Sequence, residues 1–431
     1  MRTGFFGAAL AAGALLWAGA PAGAQVAVRA RTLWTMAGPP IQDGVVLIGA
    51  DGKIEAVGPA ASTPVPEQYD LRICEVATPG LVDVRTTVGF TGLYNVEADQ
   101  DQVDSSSPIQ PGLRAVDAYN PLDRLVAYVR GFGVTTAHTG HAPGELITGS
   151  TMVVKTRGKT VDEAVVVEDL AVAATLSPIA QKGGGKSPGT RAKMMEMLRS
   201  ELIKAQAYRA KWARWESGAD AGGDAEGADK PARKDPPARD LKMEALSRVL
   251  AGEAPLIVTA NRAQDIANAL RLADEFQLRL WLDMGAECVV FAEDLRRRSV
   301  PVLLHPTMYR AVGDTESLSF ETAKRLADEG VAFAIQTGFE GYVPKVRVVL
   351  FEAAAAAGAG GLGAERALRA VTIDAAKILG VDARVGSLEV GKDGDVAMYD
   401  GDPFEHATHC VGVIIEGEPF GGEREFERRY P

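Results

Sequence analysis

From about residue 77 onward, short apolar runs of strand length alternate with amphipathic helical stretches, such as residues 263–276 and 320–329. This alternation is typical of βα units, whose strands pair in parallel. Seven runs have the length and composition of strands: residues 81–85, 134–138, 170–176, 256–260, 278–283, 300–305 and 331–336. Because seven strands approach the eight of a (β/α)8 TIM barrel, we predict an α/β fold with that barrel at its centre.

Short β-rich segments flank the alternating region on both sides. Residues 26–29, 44–48 and 53–57 precede it, and residues 396–399 and 411–415 follow it. We predict a barrel over residues 78–383 and a small composite β-sandwich domain built from residues 25–77 and 384–431. Residues 217–240 are rich in Gly, Ala, Asp, Lys and Pro without apolar periodicity, which predicts a disordered insertion in the barrel.

The first 24 residues have the pattern of a secretory signal peptide. Arg2 supplies a positive charge, residues 5–17 are apolar, and residues 22–24 read Ala-Gly-Ala before Gln25. This pattern predicts a periplasmic or secreted protein with no membrane span after cleavage; an uncleaved membrane anchor is the alternative. Three widely spaced cysteines provide no disulfide framework and are expected to be buried.

The charge balance bears on the kind of partner. A formal net charge of −11, without a cluster of Lys and Arg, argues against nucleic-acid binding. The Gly-Lys-Ser sequence at residues 185–187 does not make a phosphate-binding loop, because position 180 is Ala where the motif requires Gly. The expected partner is a small-molecule ligand or substrate. The sequence does not give the oligomeric state, and it leaves self-association into a homo-oligomer open.

Four stretches of the chain resemble the amidohydrolase superfamily, specifically its imidazolonepropionase-like branch. They are residues 78–84, 260–266, 282–287, and 372–380 together with the turn-rich run 386–395. The resemblance implies a TIM barrel with a composite β-sandwich. It also implies hydrolysis of non-peptide carbon–nitrogen bonds by a metal-activated water.

The residues at the family's metal-ligand positions depart from that pattern. Where the resemblance implies His-x-His after the first strand, the chain has Arg85 and Thr87, and near Ala171 it has no lysine. Thr259 and Met284 stand where histidines are implied, and residues 336–338 read Gln-Thr-Gly where an aspartate is implied. Because a guanidinium repels a cation, we predict that the usual metal centre is lost and expect no metal there.

The chain has only five histidines, and three of them fall at or just after predicted strand ends. His138 and His305 end two strands, and Asp283 ends another, so these three are the candidate catalytic residues. Their convergence on the barrel mouth would form either an acid–base set or a relocated zinc site. The alternative is that the histidines cap loops and bond to backbone carbonyls.

Four further residues are candidates for substrate binding: Arg85, His141, Lys155 and Glu287. Arg85 is expected to point into the barrel mouth and to pair with Glu287, with Asp283 or with an acid group of the substrate. Lys155 would reach an anionic group, with a solvated surface position as the alternative. The acidic segment 95–111 is a candidate lid over the pocket.

Three functions remain open from the sequence. The first is an exported amidohydrolase-like hydrolase of carbon–nitrogen bonds with a rebuilt or metal-free centre. The second is a catalytically inactive protein that binds a small molecule at the barrel mouth, with Arg85 as an anion clamp. The third is a structural or interaction protein.

Overall fold

The structure is a computed structural model that describes residues 25–93, 96–219, 235–339 and 348–424. The predicted signal peptide lies outside these residues, as does most of the predicted insertion. In chain order the strands are β1 (Val26–Leu33), β2 (Ile41–Ile48), β3 (Ile54–Pro59), β4 (Asp70–Pro79), β5 (Leu81–Thr86), β6 (Val134–Gly140), β7 (Ile147–Lys155), β8 (Val165–Thr175), β9 (Leu256–Ala260), β10 (Leu280–Met284), β11 (Val302–Leu304), β12 (Phe333–Ile335), β13 (Val396–Tyr399), β14 (Cys410–Ile415) and β15 (Glu418–Gly421).

The α-helices lie almost entirely between and after the barrel strands. They are α1 (Arg124–Gly131), α2 (Val161–Ala164), α3 (Arg191–Glu216), α4 (Leu241–Leu250), α5 (Ala263–Phe276), α6 (Ala292–Arg297), α7 (Thr322–Asp328), α8 (Val349–Ala357), α9 (Ala364–Ala370) and α10 (Ile373–Leu379). Short 3₁₀ helices cover Glu97–Asp99, Ala115–Asp117, Pro178–Ala180, Cys288–Phe291 and Gly313–Thr315. In the part of the chain described, no helix has the length and apolar character needed to cross a membrane.

Strands β5 to β12 form an eight-stranded sheet in chain order, which curls until its two edges meet. Thr86 of β5 bridges to Gly338 just after β12, and the Gly338 amide donates to the carbonyl of Arg85 at 3.0 Å. Inward side chains fill the barrel, among them Val84, Ile257 and Trp281, while helices cover its outside. The mixed α/β barrel agrees with the predicted TIM barrel.

One strand of the barrel runs against the others and was not among the predicted strands. β7 pairs antiparallel with both β6 and β8, whereas the remaining neighbours in the barrel pair in parallel. Residues 141–146 join β6 to β7 without a helix, and a connection this short permits only an antiparallel pair. Because no helix separates β6 from β7, the alternation of strands and helices did not predict β7 as a strand.

The two ends of the chain meet in a second, seven-stranded sheet. β13 pairs antiparallel with β4, so the C-terminal strands β13 to β15 extend the sheet that β1 to β4 begin. This is the composite origin that the flanking segments predict. The seven strands are hydrogen-bonded into one sheet, and its division into a sandwich remains a prediction.

Lys155 joins the barrel to this second sheet. Because β7 is reversed, its last residue lies beside Thr136, near the start of β6, at the end of the barrel remote from the mouth. The Lys155 ammonium lies 2.7 Å from Asp395 and 3.0 Å from Asp393, and all three side chains are buried. Lys155 thus neutralises two carboxylates in the segment that leads into β13.

We expect Lys155→Met to lower the free energy of unfolding by about 3–5 kcal/mol, because it removes the buried cation that lies between the carboxylates of Asp393 and Asp395. Lys53→Met is the matched control. Lys53 pairs with the same Asp393, but its side chain is 42% exposed, so its loss should cost under about 1 kcal/mol. Urea unfolding measures both, and equal losses would contradict the assignment.

Candidate functional site

A pocket at the carboxyl ends of the parallel barrel strands is open to solvent, and it contains about 620 Å³ of empty space when the solvent at its mouth is included. Residues at or just after the ends of β5, β8, β9, β10 and β12 line it, together with loops after β6 and β11. The polar lining residues are Arg85, Thr86, Thr87, Ser177, Thr259, Asn261, Asp283, Tyr309, Asp314, Thr315 and Gln336. This face of a TIM barrel is where such folds place their active sites.

Arg85 is a charged residue in the pocket wall that is only 3% exposed. One guanidinium nitrogen, Nη2, donates to the carbonyl of His141, while Nη1 is buried with no hydrogen-bond partner. Burial lowers the pKa of Arg85 from its usual value, while the charges of Asp283 and Asp83 act in the opposite direction. Because a guanidinium stays protonated in proteins, the pocket wall contains a fixed cation, and one donor nitrogen of that cation has no partner.

Asp83 positions Arg85 by joining the first and last barrel strands. Its carboxylate accepts from the amide of Arg85 at 3.2 Å, and from the amide and hydroxyl of Thr337 at 3.2 and 2.5 Å. Burial raises the pKa of Asp83 to about 7, although these hydrogen bonds oppose the increase. Asp83 therefore closes the seam of the barrel directly beside the pocket.

Asp283 lies at the end of β10 and accepts hydrogen bonds from the neighbouring strand β9 and from the segment just after β12. Thr259 donates to its Oδ2 at 2.5 Å, and Gln336 donates to its Oδ1 at 2.7 Å. The next residue, Met284, has φ of +72°, a left-handed conformation that costs a non-glycine residue about 1–3 kcal/mol. Three positions where metal ligands were implied, at Thr259, Met284 and Gln336, thus surround this carboxylate.

His138 is fully buried and bonded at both ring nitrogens. Its Nδ1 lies 2.6 Å from the carbonyl of Val84, and its Nε2 lies 2.8 Å from the hydroxyl of Thr151. Because a carbonyl only accepts, Nδ1 carries the proton and Nε2 accepts from Thr151. Burial and the charge of Arg85 lower the pKa of His138 to about 3, so the ring is neutral. His138 is not a pocket-lining residue.

His141 and His305 lie near the mouth but also outside the pocket lining. The ring of His141 packs against Gly149, where a Cβ atom would come within 2.3 Å of it. His305 uses Nδ1 to bond the carbonyl of Pro306 at 2.8 Å, and its Nε2 is buried without a partner. Burial lowers the pKa of each histidine to about 4.

Two other predicted binding residues have partners elsewhere. Glu287 accepts from the amide of Ala263 at 2.6 Å, where α5 begins, and pairs with Arg262 at 3.2 Å. It therefore orders the loops after β9 and β10 and does not pair with Arg85. Lys155 lies in the buried network described above. The predicted lid, 95–111, includes Asn95, which is outside the described residues.

Several pocket residues were not candidates from the sequence: Ser177, Tyr309, Asp314 and Thr315. Asp314 and Thr315 belong to the long loop after β11, whose composition carries no catalytic motif. Asn261 and Gln336 lie in stretches where the resemblance implies metal ligands, but an amide side chain there does not indicate a role in the pocket. The sequence indicates site residues by their position at the ends of predicted strands. It does not indicate which residues of a long loop reach the pocket.

Within residues 25–93, 96–219, 235–339 and 348–424, no group of three or more His, Cys, Asp and Glu side chains is arranged to hold a metal ion. The pocket wall instead combines Arg85 with Asp283 and neutral hydroxyl and amide groups. A guanidinium and amide donors are chemically suited to an anionic ligand.

Comparison with known proteins agrees with this fold. Residues 265–426 match the model of the amidohydrolase family. An amidohydrolase from Thermotoga maritima MSB8 has a similar structure, with a TM-score of 0.83 and 26% sequence identity over 92% of this chain and all of that chain. No curated protein matches the sequence.

More distant structures share the fold. An adenosine deaminase from Xanthomonas campestris, solved with bound zinc, has a TM-score of 0.52 at 17% identity, covering 94% of this chain and 95% of that chain. A Xaa-Pro dipeptidase with methionine in its active site has a TM-score of 0.56 at 16% identity, covering 92% and 100%. The family match and the Thermotoga maritima structure support the amidohydrolase resemblance, and the narrower imidazolonepropionase-like branch remains a prediction.

The buried histidines predict a pH-dependent stability. In the folded state, His138, His141 and His305 have pKa values of about 3, 4 and 4, below the usual 6.5. As the pH falls below 6.5, the unfolded chain therefore binds protons at these histidines that the folded protein does not bind. The free energy of unfolding should therefore fall over that range. Asp83, with its pKa raised to about 7, is protonated in the folded state there and partly offsets the loss.

Replacing His138 by Asn should reduce the pH slope of stability by about 1.4 kcal/mol per pH unit between pH 5 and 6, because one of these protonations is removed. Urea unfolding across that interval measures the slope. His406→Asn, at an exposed ring, should retain the original slope. A His138 variant with an unaltered slope would show that this ring is not held neutral.

Proposed function

We propose that this chain is an amidohydrolase-type protein that binds a small organic anion, foremost a carboxylate, at the mouth of its barrel. The observation that carries the proposal is the guanidinium of Arg85, buried in the pocket wall with Nη1 unpartnered. A buried charge with an unused donor is costly unless an acceptor is available. A ligand carboxylate supplies that acceptor and a matching charge.

The proposal includes the loss of the family's usual metal centre. Divalent metals in such hydrolases need at least three imidazole or carboxylate ligands. At the corresponding positions the chain has Arg85, Thr87, Thr259 and Met284, which do not supply them. The fixed positive charge of Arg85 further disfavours a cation. These residues do not fit a metal at that position, so the binding of an anion is derived without one.

Hydrolysis of a carbon–nitrogen bond is the second candidate function. The match of residues 265–426 to the amidohydrolase family supports it as the class of reaction. Asp283 is the acid–base group that faces the pocket close to Arg85, and it would act as the proton acceptor for a water molecule. Its two donors, Thr259 and Gln336, fix the orientation of the carboxylate.

The proposed location remains the periplasm or the cell exterior. It is supported by the signal-peptide pattern of residues 1–24. A relocated zinc site at His138, His305 and Asp283 is less well supported, because both nitrogens of His138 and one nitrogen of His305 are engaged in hydrogen bonds.

We expect Arg85→Gln to weaken the binding of small carboxylates by about tenfold or more, because a charge-assisted hydrogen bond is lost. Isothermal titration calorimetry with propionate and butyrate measures the affinity, and circular dichroism establishes that the variant folds. Arg279→Gln is the matched control, since Arg279 bonds the carbonyl of Gly252 outside the pocket. Equal affinities in the unmodified protein and a folded Arg85 variant would overturn the proposal.

Turnover and metal content separate the two candidate functions. If the pocket only binds, N-acetylated amino acids incubated with the protein release no amine, and chelator treatment leaves carboxylate affinity unchanged. Amine release that Asp283→Asn abolishes would establish the hydrolase instead. Stoichiometric zinc by elemental analysis, lost in both His138→Ala and Asp283→Asn, would contradict the loss of a metal centre.

A further inference from the structure

Asp314 is a second carboxylate in the pocket wall, on the loop that follows β11. Its Oδ2 accepts from the hydroxyl of Ser177 at 2.7 Å and from the amide of Asn261 at 3.4 Å. Asn261 is itself oriented, because its Oδ1 accepts from the amide of Ala286 at 3.3 Å. Residues following three different strands thus converge at this half-buried carboxylate.

The pocket has an unequal charge balance. Its charged lining residues are Arg85, Asp283 and Asp314. Asp283 acts as a counter-charge of Arg85, because its negative charge raises the pKa of the guanidinium. Among the residues of the chain that the structure describes, no cationic side chain lies within ion-pair distance of Asp314. Within the described residues, this carboxylate of the pocket wall therefore has no positive partner.

A ligand with only a carboxylate group is complementary to Arg85 but not to Asp314. It would accept from Nη1 of Arg85, but its own charge would be repelled by Asp314. A simple amine would meet Asp314 but would leave Nη1 of Arg85 without an acceptor. A ligand with both groups matches both charges, and each end gains a charge-assisted hydrogen bond.

We propose that the pocket selects small zwitterions, compounds with a carboxylate for Arg85 and an ammonium group for Asp314. This inference rests on the proposed function, since it takes the binding of a carboxylate at Arg85 as given. It adds a ligand class and a specificity-determining residue. Asp314 acts as the ammonium acceptor, and Ser177 and Asn261 position its carboxylate.

The experiment compares amino acids with the corresponding carboxylates that lack the amine. Glycine is paired with acetate, β-alanine with propionate, and γ-aminobutyrate with butyrate, which varies the distance between the charges. Calorimetry with the full chain should show, in at least one pair, about tenfold tighter binding of the amino compound. Asp314→Asn should abolish that preference and leave binding of the plain carboxylate equal or tighter.

Glu316→Gln is the matched control. It removes one negative charge two residues away, from a side chain that is 61% exposed and pairs with Arg262. It should retain the preference for the amino compound. Equal binding of both members of every pair, or a preference that survives Asp314→Asn, would overturn this inference while carboxylate binding still upholds the proposed function. No binding of any carboxylate would overturn the proposed function itself.

Discussion

The barrel depends on the junction between its first and last strands. The buried carboxylate of Asp83 accepts several of the hydrogen bonds at that junction. Asp83 accepts from the backbone of Arg85 on one side and from the backbone and hydroxyl of Thr337 on the other. A closed barrel has no free strand edge, so every strand is satisfied on both sides. The same junction fixes the backbone of Arg85, which places its guanidinium in the pocket wall.

Closing the barrel also brings residues distant in the chain into one pocket. Arg85, Asp283 and Asp314 lie far apart in the chain, in β5, in β10 and in the loop after β11. Each is nevertheless at or beyond the carboxyl end of its strand. The pocket combines a fixed cation with carboxylates and neutral donors. That chemistry is suited to holding a charged small molecule, and it differs from the sets of three imidazole or carboxylate ligands that catalytic zinc sites use.

At the opposite end of the barrel, charge serves a structural purpose. Lys155 sits between Asp393 and Asp395, so the barrel and the composite sheet share a buried ion-pair network. The reversal of β7 accounts for this placement. Had β7 run parallel to its neighbours, its last residue would have lain at the mouth. Strand direction therefore decides whether a lysine faces a ligand or another part of the fold.

The sequence by itself determined the α/β class, most barrel strands, the shared origin of the second sheet and the positions of Arg85 and Asp283, because hydrophobic periodicity and strand ends are local features. Only the tertiary structure decided the direction of β7, the partners of His138, Lys155 and Glu287, and the presence of Asp314 in the pocket. Such contacts join residues far apart in the chain, and loop conformation has no periodic signal in the sequence. Which polar side chains meet therefore depends on how the barrel closes.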